Sequence, residues 1–156
     1  MAPIRMRLPR MTTTPATAPT DAESPGSGVG VGRLDLVVLD CPDPAALARF
    51  YALVLGWPVT RADASDDWTE IRGPGGTGLA FQLAPNHVPP SWPDGEIPQQ
   101  SHLDIDVAEL DAAEAVVLAA GATATGLPDR SDGRVESFRV YLDPAGHPFC
   151  LCRAGS

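Results

Sequence analysis

Apolar and polar residues alternate most cleanly from His102 to Val107. Leu103, Ile105 and Val107 fall on one face of a predicted strand, and His102, Asp104 and Asp106 on the other. The pattern then changes period. From Glu109 to Ala120, Leu110, Ala113, Val117 and Leu118 recur at helical spacing, and Gly121 closes the segment. The same order occurs earlier in the chain. Leu34–Cys41 reads as a strand, followed by a helix with Leu47, Phe50, Tyr51, Val54 and Leu55 on one stripe. Asp43 is a suitable N-cap, Pro44 suits the first helical position, and Gly56 ends the helix.

Leu36 and His102 are 66 positions apart, and the closing glycines Gly56 and Gly121 are 65 apart, so a single gap aligns the two segments. Three strand-like runs follow each helix: Trp57–Ala62, Asp67–Arg72 and Gly78–Ala84 in the first half, then Thr123–Gly126, Arg134–Leu142 and His147–Cys152 in the second. A Gly-rich turn precedes each last strand, Gly73-Pro-Gly-Gly76 and Asp143-Pro-Ala-Gly146. The chain therefore reads as a tandem βαβββ duplication of α+β class. Residues 86–100 form a linker stiffened by Pro89, Pro90, Pro93 and Pro98, and a stiff segment of that length inside a compact domain often closes over something. Trp92, at its centre, is a candidate lid residue, with packing on a sheet edge as the alternative. The loop Leu127–Gly133 is polar and is expected to be mobile.

Composition narrows the partners. Of 156 residues 44% are hydrophobic and 20% charged, enough for a sizeable core, and no apolar run approaches a membrane span. The net charge is −9, and the first thirty residues hold three arginines against two acidic residues, so the remainder carries −10. This argues against nucleic acid and against anionic membranes. There is no lysine; all eleven cations are arginine. Residues 1–32 are rich in Pro, Thr, Ala, Gly and Ser and are expected to be disordered. Arg5, Arg7 and Arg10 there faintly resemble a targeting segment without an apolar region, and initiation at Met11 is the plainer alternative. Cys41, Cys150 and Cys152 are odd in number, and the last two share a strand face at a spacing unsuited to a disulfide. A reducing, cytoplasmic setting follows.

Few residues carry candidate chemistry. His102 shares its strand face with Asp104, and a carboxylate two residues away can orient an imidazole or raise its pKa, which makes this pair the candidate general base. His147, after the Asp143–Gly146 turn, reads as a structural turn residue, and His87 as a solvated one. Cys150 lies among Phe149, Leu151 and Cys152 with no adjacent cation, and reads as a buried inert thiol. The glycine run at residues 73–78 leads into a strand rather than a helix and is no phosphate loop. No nucleophile-elbow motif is present.

Two βαβββ units, the helix end Phe50-Tyr-Ala-Leu-Val-Leu-Gly-Trp57 and the hairpin Tyr141-Leu-Asp-Pro-Ala-Gly-His147 resemble the glyoxalase/bleomycin-resistance (vicinal oxygen chelate) superfamily. Pro89-Pro-Ser-Trp-Pro93, Pro98-Gln-Gln-Ser-His-Leu-Asp104 and the run Asp143–Cys152 resemble its glyoxalase-like branch in actinomycetes. The resemblance implies a domain over residues 33–153, with modules at 33–85 and 101–153. It implies a ligand cup between two curled sheets, lined by Val38, Trp68, Gln82, His102, Asp104, Tyr141 and Cys150, with Trp92 over the mouth. Carried onto this chain, the superfamily's four metal-ligand positions fall on Leu36, Gln82, His102 and Cys150. Leu36 has no donor, Gln82 is a weak neutral ligand, and a thiolate suits zinc rather than magnesium or manganese. The expectation is a site without a metal ion, with a divalent ion as the lesser alternative. Two functions remain open: a metal-independent lyase or isomerase using His102, or a protein that sequesters a drug or metabolite, for which an acidic surface suits cationic compounds. The resemblance also implies a homodimer.

Overall fold

The computed structural model describes residues 31–128 and 136–155. The expectations for residues 1–30 and for most of the 127–133 loop fall outside them. The elements run β1 (Leu36–Cys41), α1 (Pro44–Leu55), β2 (Val59–Ala62), β3 (Trp68–Arg72), β4 (Gly78–Leu83), β5 (Leu103–Val107), α2 (Leu110–Ala119), β6 (Thr123–Ala124), β7 (Phe138–Leu142) and β8 (Pro148–Arg153). Two four-stranded mixed sheets result, ordered β1-β4-β3-β2 and β5-β8-β7-β6. In each, the first strand runs parallel to the last, and the remaining pairs are antiparallel. The βαβββ duplication is thus a repeated topology.

The helix ends follow the local chemistry. The Asp43 carboxylate accepts the Ala46 N–H at 2.9 Å, and Pro44 occupies the first turn, where no amide donor is needed. Gly56 closes α1 at φ +66°, a conformation that costs a residue with a side chain. On α1, Leu47, Phe50 and Tyr51 are buried, with Val54 and Leu55 half-buried. On α2, Leu110 and Val117 are buried, but Leu118 is exposed rather than part of the apolar stripe.

Each sheet packs one face on helix. Leu39, Cys41, Ile71, Leu79 and Phe81 form that face in the first module, and Leu103, Ile105, Tyr141, Phe149 and Leu151 in the second; together they belong to one apolar core. Fully burying each large side chain contributes on the order of 1.5–3 kcal/mol. Arg139, on the same face of β7, holds α2 through Asp111 at 2.7 Å. Helix α1 joins the modules: Tyr51 stacks on Phe81 of β4 at 5.6 Å, and Phe50 meets Phe149 of β8 edge-on at 5.7 Å. The Tyr51 hydroxyl donates to Asp143 at 2.9 Å, in the turn before β8.

The strand ladders correct one alignment. Both the strand-to-helix steps lie 66 positions apart, but β3 and β7, like β4 and β8, lie 70 apart. The partner of Asp104 is Cys150, whereas the partner of its counterpart Val38 is Ala80. Cys150 therefore matches Ala80, and Gln82 matches Cys152. Gln82 and Cys150 are not equivalent positions, because the turns of the second module have gained residues that a helix-based alignment does not count.

Candidate functional site

Strand alternation leaves each sheet a second face turned away from the helices, and the two modules use it differently. In the first module β3 places Trp68, Glu70 and Arg72 there. The Trp68 indole N–H donates to Glu70 at 2.8 Å, Arg61 and Arg72 approach the same carboxylate at 3.4 and 3.3 Å, and Arg72 also reaches Asp35 at 2.8 Å. Polar groups on this face are engaged with each other. In the second module the matching β7 positions hold Phe138, Val140 and Leu142. Apolar side chains without partners leave room.

That room is a cavity of about 360 Å³, within the usual size of small-molecule sites. Phe138 and Val140 of β7 and Pro148 and Cys150 of β8 form its floor. The linker supplies Trp92 and Gln99, His102 stands at the start of β5, and Leu127 and Pro128 close another side. The walls are almost wholly apolar; His102, Gln99, the Trp92 indole N–H and the Cys150 thiol supply the hydrogen-bonding groups. A smaller cleft of about 260 Å³ adjoins it, sharing His102, Phe138 and Cys150 and adding Asp104, Ser137 and Cys152. The linker is fastened over this region. The His87 imidazole meets the Ala145 carbonyl at 2.9 Å and packs 5.0 Å from the His147 ring, so His87 is a docking residue rather than a solvated one.

His102, Asp104, Cys150 and Trp92 are thus brought together as the sequence suggested. Val38, Trp68 and Gln82 are not part of the cavity: they lie on the other sheet, and that sheet's open face contributes nothing to either cleft. Tyr141 is also misplaced by the expectation. It is 1% exposed and points to the helix side, because Val140, not Tyr141, pairs across from Cys150. Phe138, Val140, Gln99, Leu127, Pro128 and Pro148 were missed. The alternation within residues 138–142 signals Phe138 and Val140 once one residue's direction is known, but nothing local marks the others.

The electrostatics of the site are simple. His102 Nε2 lies 3.4 Å from Asp104 Oδ1, with both side chains substantially exposed (42% and 63%). The Cys150 thiol is pushed up to about 12, first by burial and then by the hydrogen bond and charge of Asp104, so it is a neutral donor and no nucleophile at neutral pH. Cys152 is raised too, by burial and the charges of Asp104 and Asp106.

Donor atoms of His102, Asp104 and Cys150 lie within 4.8 Å of one another. This set does not fit the four-ligand divalent site that the resemblance implies. Leu36 has no donor, and the Cys150 thiol would first have to surrender a proton held against Asp104.

Outside the site, no helix among the described residues is long and apolar enough to cross a membrane. No curated protein matches the sequence. Among solved structures, the fold is similar to a glyoxalase/bleomycin resistance protein/dioxygenase family enzyme from Burkholderia phytofirmans PsJN. The two are 19% identical with a TM-score of 0.58, over 78% of this chain and 98% of that one. A possible glyoxalase from Bacillus cereus is 12% identical (TM-score 0.55, 79% and 99% covered). The oxidase ChaP-H2 is 21% identical (TM-score 0.56, 81% and 98% covered). These likenesses establish the fold. The model of the glyoxalase-like domain family matches residues 36–152, the span from β1 to β8 that holds both βαβββ modules and the cavity, and the chain belongs to that family.

Proposed function

We propose that this glyoxalase-like protein binds a small, largely apolar organic molecule in the cavity of its second module, and does so without a divalent metal ion. The observation that carries this reading is the chamber of about 360 Å³ with apolar walls and a few polar groups, on Gln99, His102 and the Trp92 indole, to orient a ligand. The mismatch of Leu36, which has no donor, and of the protonated Cys150 thiol to a metal site supports the second half of the proposal. Elemental analysis of the purified protein is expected to find far less than one nickel, zinc, iron or manganese per chain; about one per chain overturns it.

Binding is tested by native mass spectrometry for a co-purifying compound and by calorimetric titration with neutral aromatic probes. Val140→Trp places an indole in the chamber and is expected to weaken binding at least about tenfold while the protein still melts cooperatively. Unchanged binding in a folded Val140→Trp protein sinks the reading.

Turnover is a second reading, favoured by the 3.4 Å approach of His102 to Asp104 at the chamber wall. There His102 takes a proton from a ligand carbon or hydroxyl, as in a lyase or isomerase, and Asp104 holds the ring. Without turnover the same chamber sequesters its ligand. The proline-rich segments favour a place in the actinomycete branch of the family, and three free thiols favour a reducing cytoplasm. The resemblance to the superfamily favours a homodimer, for which light scattering at micromolar concentration is expected to return twice the chain mass; the monomer mass refutes it.

A further inference from the structure

The linker segment that walls the chamber is bonded unlike the rest of the domain. Its near end is fastened: the His87 ring meets the Ala145 carbonyl at 2.9 Å, and Pro89 lies against Gly146. Beyond that point the segment bonds to itself. The Ser91 N–H donates to the Ile97 carbonyl at 3.0 Å, the Ile97 N–H to the Ser91 hydroxyl at 3.0 Å, and the Gly95 N–H to the Ser91 carbonyl at 2.7 Å. Pro90, Pro93 and Pro98 have no N–H to give. Among the described residues, no hydrogen bond joins residues 90–98 to any residue outside them. A segment closed on itself in this way keeps its shape whether or not it lies on the domain.

What holds it down is side-chain contact, and that contact is narrow. Ser91 and residues 93–98 are exposed; Pro90, Trp92 and Gln99 are half-buried, and the last two wall the chamber. Trp92 therefore faces a cavity of about 360 Å³ rather than a packed core, and gains little dispersion contact on that side. At the far end Gln100 holds φ +58°, a left-handed conformation that is costly for a residue with a side chain. A molecule held in the chamber meets the underside of Trp92 directly. It adds contact to the docked position of the segment and none to a raised one.

Resting on the proposed binding role of the chamber, we infer that residues 90–99 are a lid that lifts as a unit between Pro89 and Gln100 and is drawn down by the ligand. Binding and closure are then one equilibrium, shifted by the ligand's differential contact with the two lid positions.

The chain has three tryptophans, and Trp92 alone lies on the lid, so fluorine-labelled tryptophan reports its motion. Trp57 and Trp68 are internal controls, and Trp92→Phe assigns the third resonance. In the full chain, fluorine relaxation is expected to show exchange broadening at Trp92 and not at the controls, on the microsecond-to-millisecond scale of lids. Saturating phenylbutanol, with its binding followed by calorimetry, is expected to sharpen the Trp92 resonance. Gly95→Ala drives a Cβ into Ser91 and breaks the internal bonds of the lid. It is expected to weaken phenylbutanol binding at least about fivefold and to leave the denaturant midpoint unchanged, because the lid is no part of the packed core. A Trp92 resonance without exchange in the free protein overturns the inference, and so does a Gly95→Ala midpoint that falls. The two proposals separate in the titration: if phenylbutanol binds and the Trp92 exchange stays as it was, only the lid falls. If phenylbutanol does not bind, the chamber reading falls and takes this one with it.

Discussion

Asp143 is buried without exposed side-chain area, yet its carboxylate meets four donors: the Tyr51 hydroxyl, the His147 Nδ1 and the backbone N–H groups of Ala145 and His147. A buried carboxylate so surrounded is tolerated in its charged form, and it ties α1 to the turn before β8. Removing one donor leaves the others but uncovers part of the charge. Tyr51→Phe is expected to lower unfolding free energy by about 1–3 kcal/mol in denaturant titration, a loss that hydrophobic burial alone does not predict. His147 gives the same junction a pH dependence. Burial works against its charge, but the Asp143 hydrogen bond and charge, with Asp40, more than offset it and hold its pKa above the ordinary 6.5. The folded chain then binds the proton more tightly than the unfolded one. Stability from this source is full below 6.5 and is lost as pH rises through the folded value. The stability gap between the wild type and His147→Gln is therefore expected to be larger near about pH 6 than near about pH 9. A gap that widens with rising pH contradicts the assignment. His102 stands apart from this network. In a chamber with turnover, His102→Gln is expected to cost about 10²–10⁴-fold in rate on the compound found there, with little loss of affinity; unchanged turnover in a stable variant leaves only the sequestering role.

Among the elements, the linker does more than join two modules. His87 docks on Ala145, Pro89 lies against Gly146, and Trp92 and Gln99 on the same segment wall the chamber. Gly146 holds φ +91°, and a Cβ there would sit 2.5 Å from the Pro89 Cβ. Gly146→Ala therefore combines backbone strain with a collision that displaces the linker, and is expected to cost more than about 1 kcal/mol and to weaken ligand binding with it. Retained stability and affinity would show that the linker gives way freely. Both helices were legible, from Asp43, Pro44 and Gly56 in one and the stripe at Leu110 and Val117 in the other. Strand register was not. Alternation places Phe138, Val140 and Leu142 together and Arg139 with Tyr141, but it does not say which set faces the helix. That depends on pairing with β8, which only the folded ladder fixes. Tyr141 was assigned to the site for that reason, and Gln82 was matched to Cys150 for the same one.

At the scale of the whole molecule, one topology carries two chemistries. The open face of the first module spends its polar groups on one another: Glu70, 9% exposed at its side chain, takes the Trp68 indole and two arginines. The same face of the second module carries Phe138 and Val140 and leaves a chamber. Duplication was visible in the sequence, but its divergence was not, since Trp68 and Gln82 look as suitable for a cup as Phe138 and Cys152. Which face is filled depends on cross-strand neighbours, such as Arg61 and Glu70, that approach one another only once β2 and β3 pair. If the modules have divided their roles, substitutions on the two faces must differ in their effect on affinity. Glu70→Ala leaves Arg61 and Arg72 without their shared partner and the Trp68 N–H without an acceptor. It is expected to destabilise the fold by about 1–3 kcal/mol, chiefly through the unpaired Trp68 N–H and the lost Glu70 contacts, while probe affinity in the remaining folded protein stays within about twofold. Val140→Trp enlarges a buried side chain into the chamber, and is expected to cost about 1–3 kcal/mol in stability while affinity falls at least about tenfold. Both are read in one pair of measurements, denaturant unfolding and calorimetric titration below the transition. Should a folded Glu70→Ala protein lose affinity as steeply as Val140→Trp does, the two faces belong to one site, and confining the chamber to the second module is wrong.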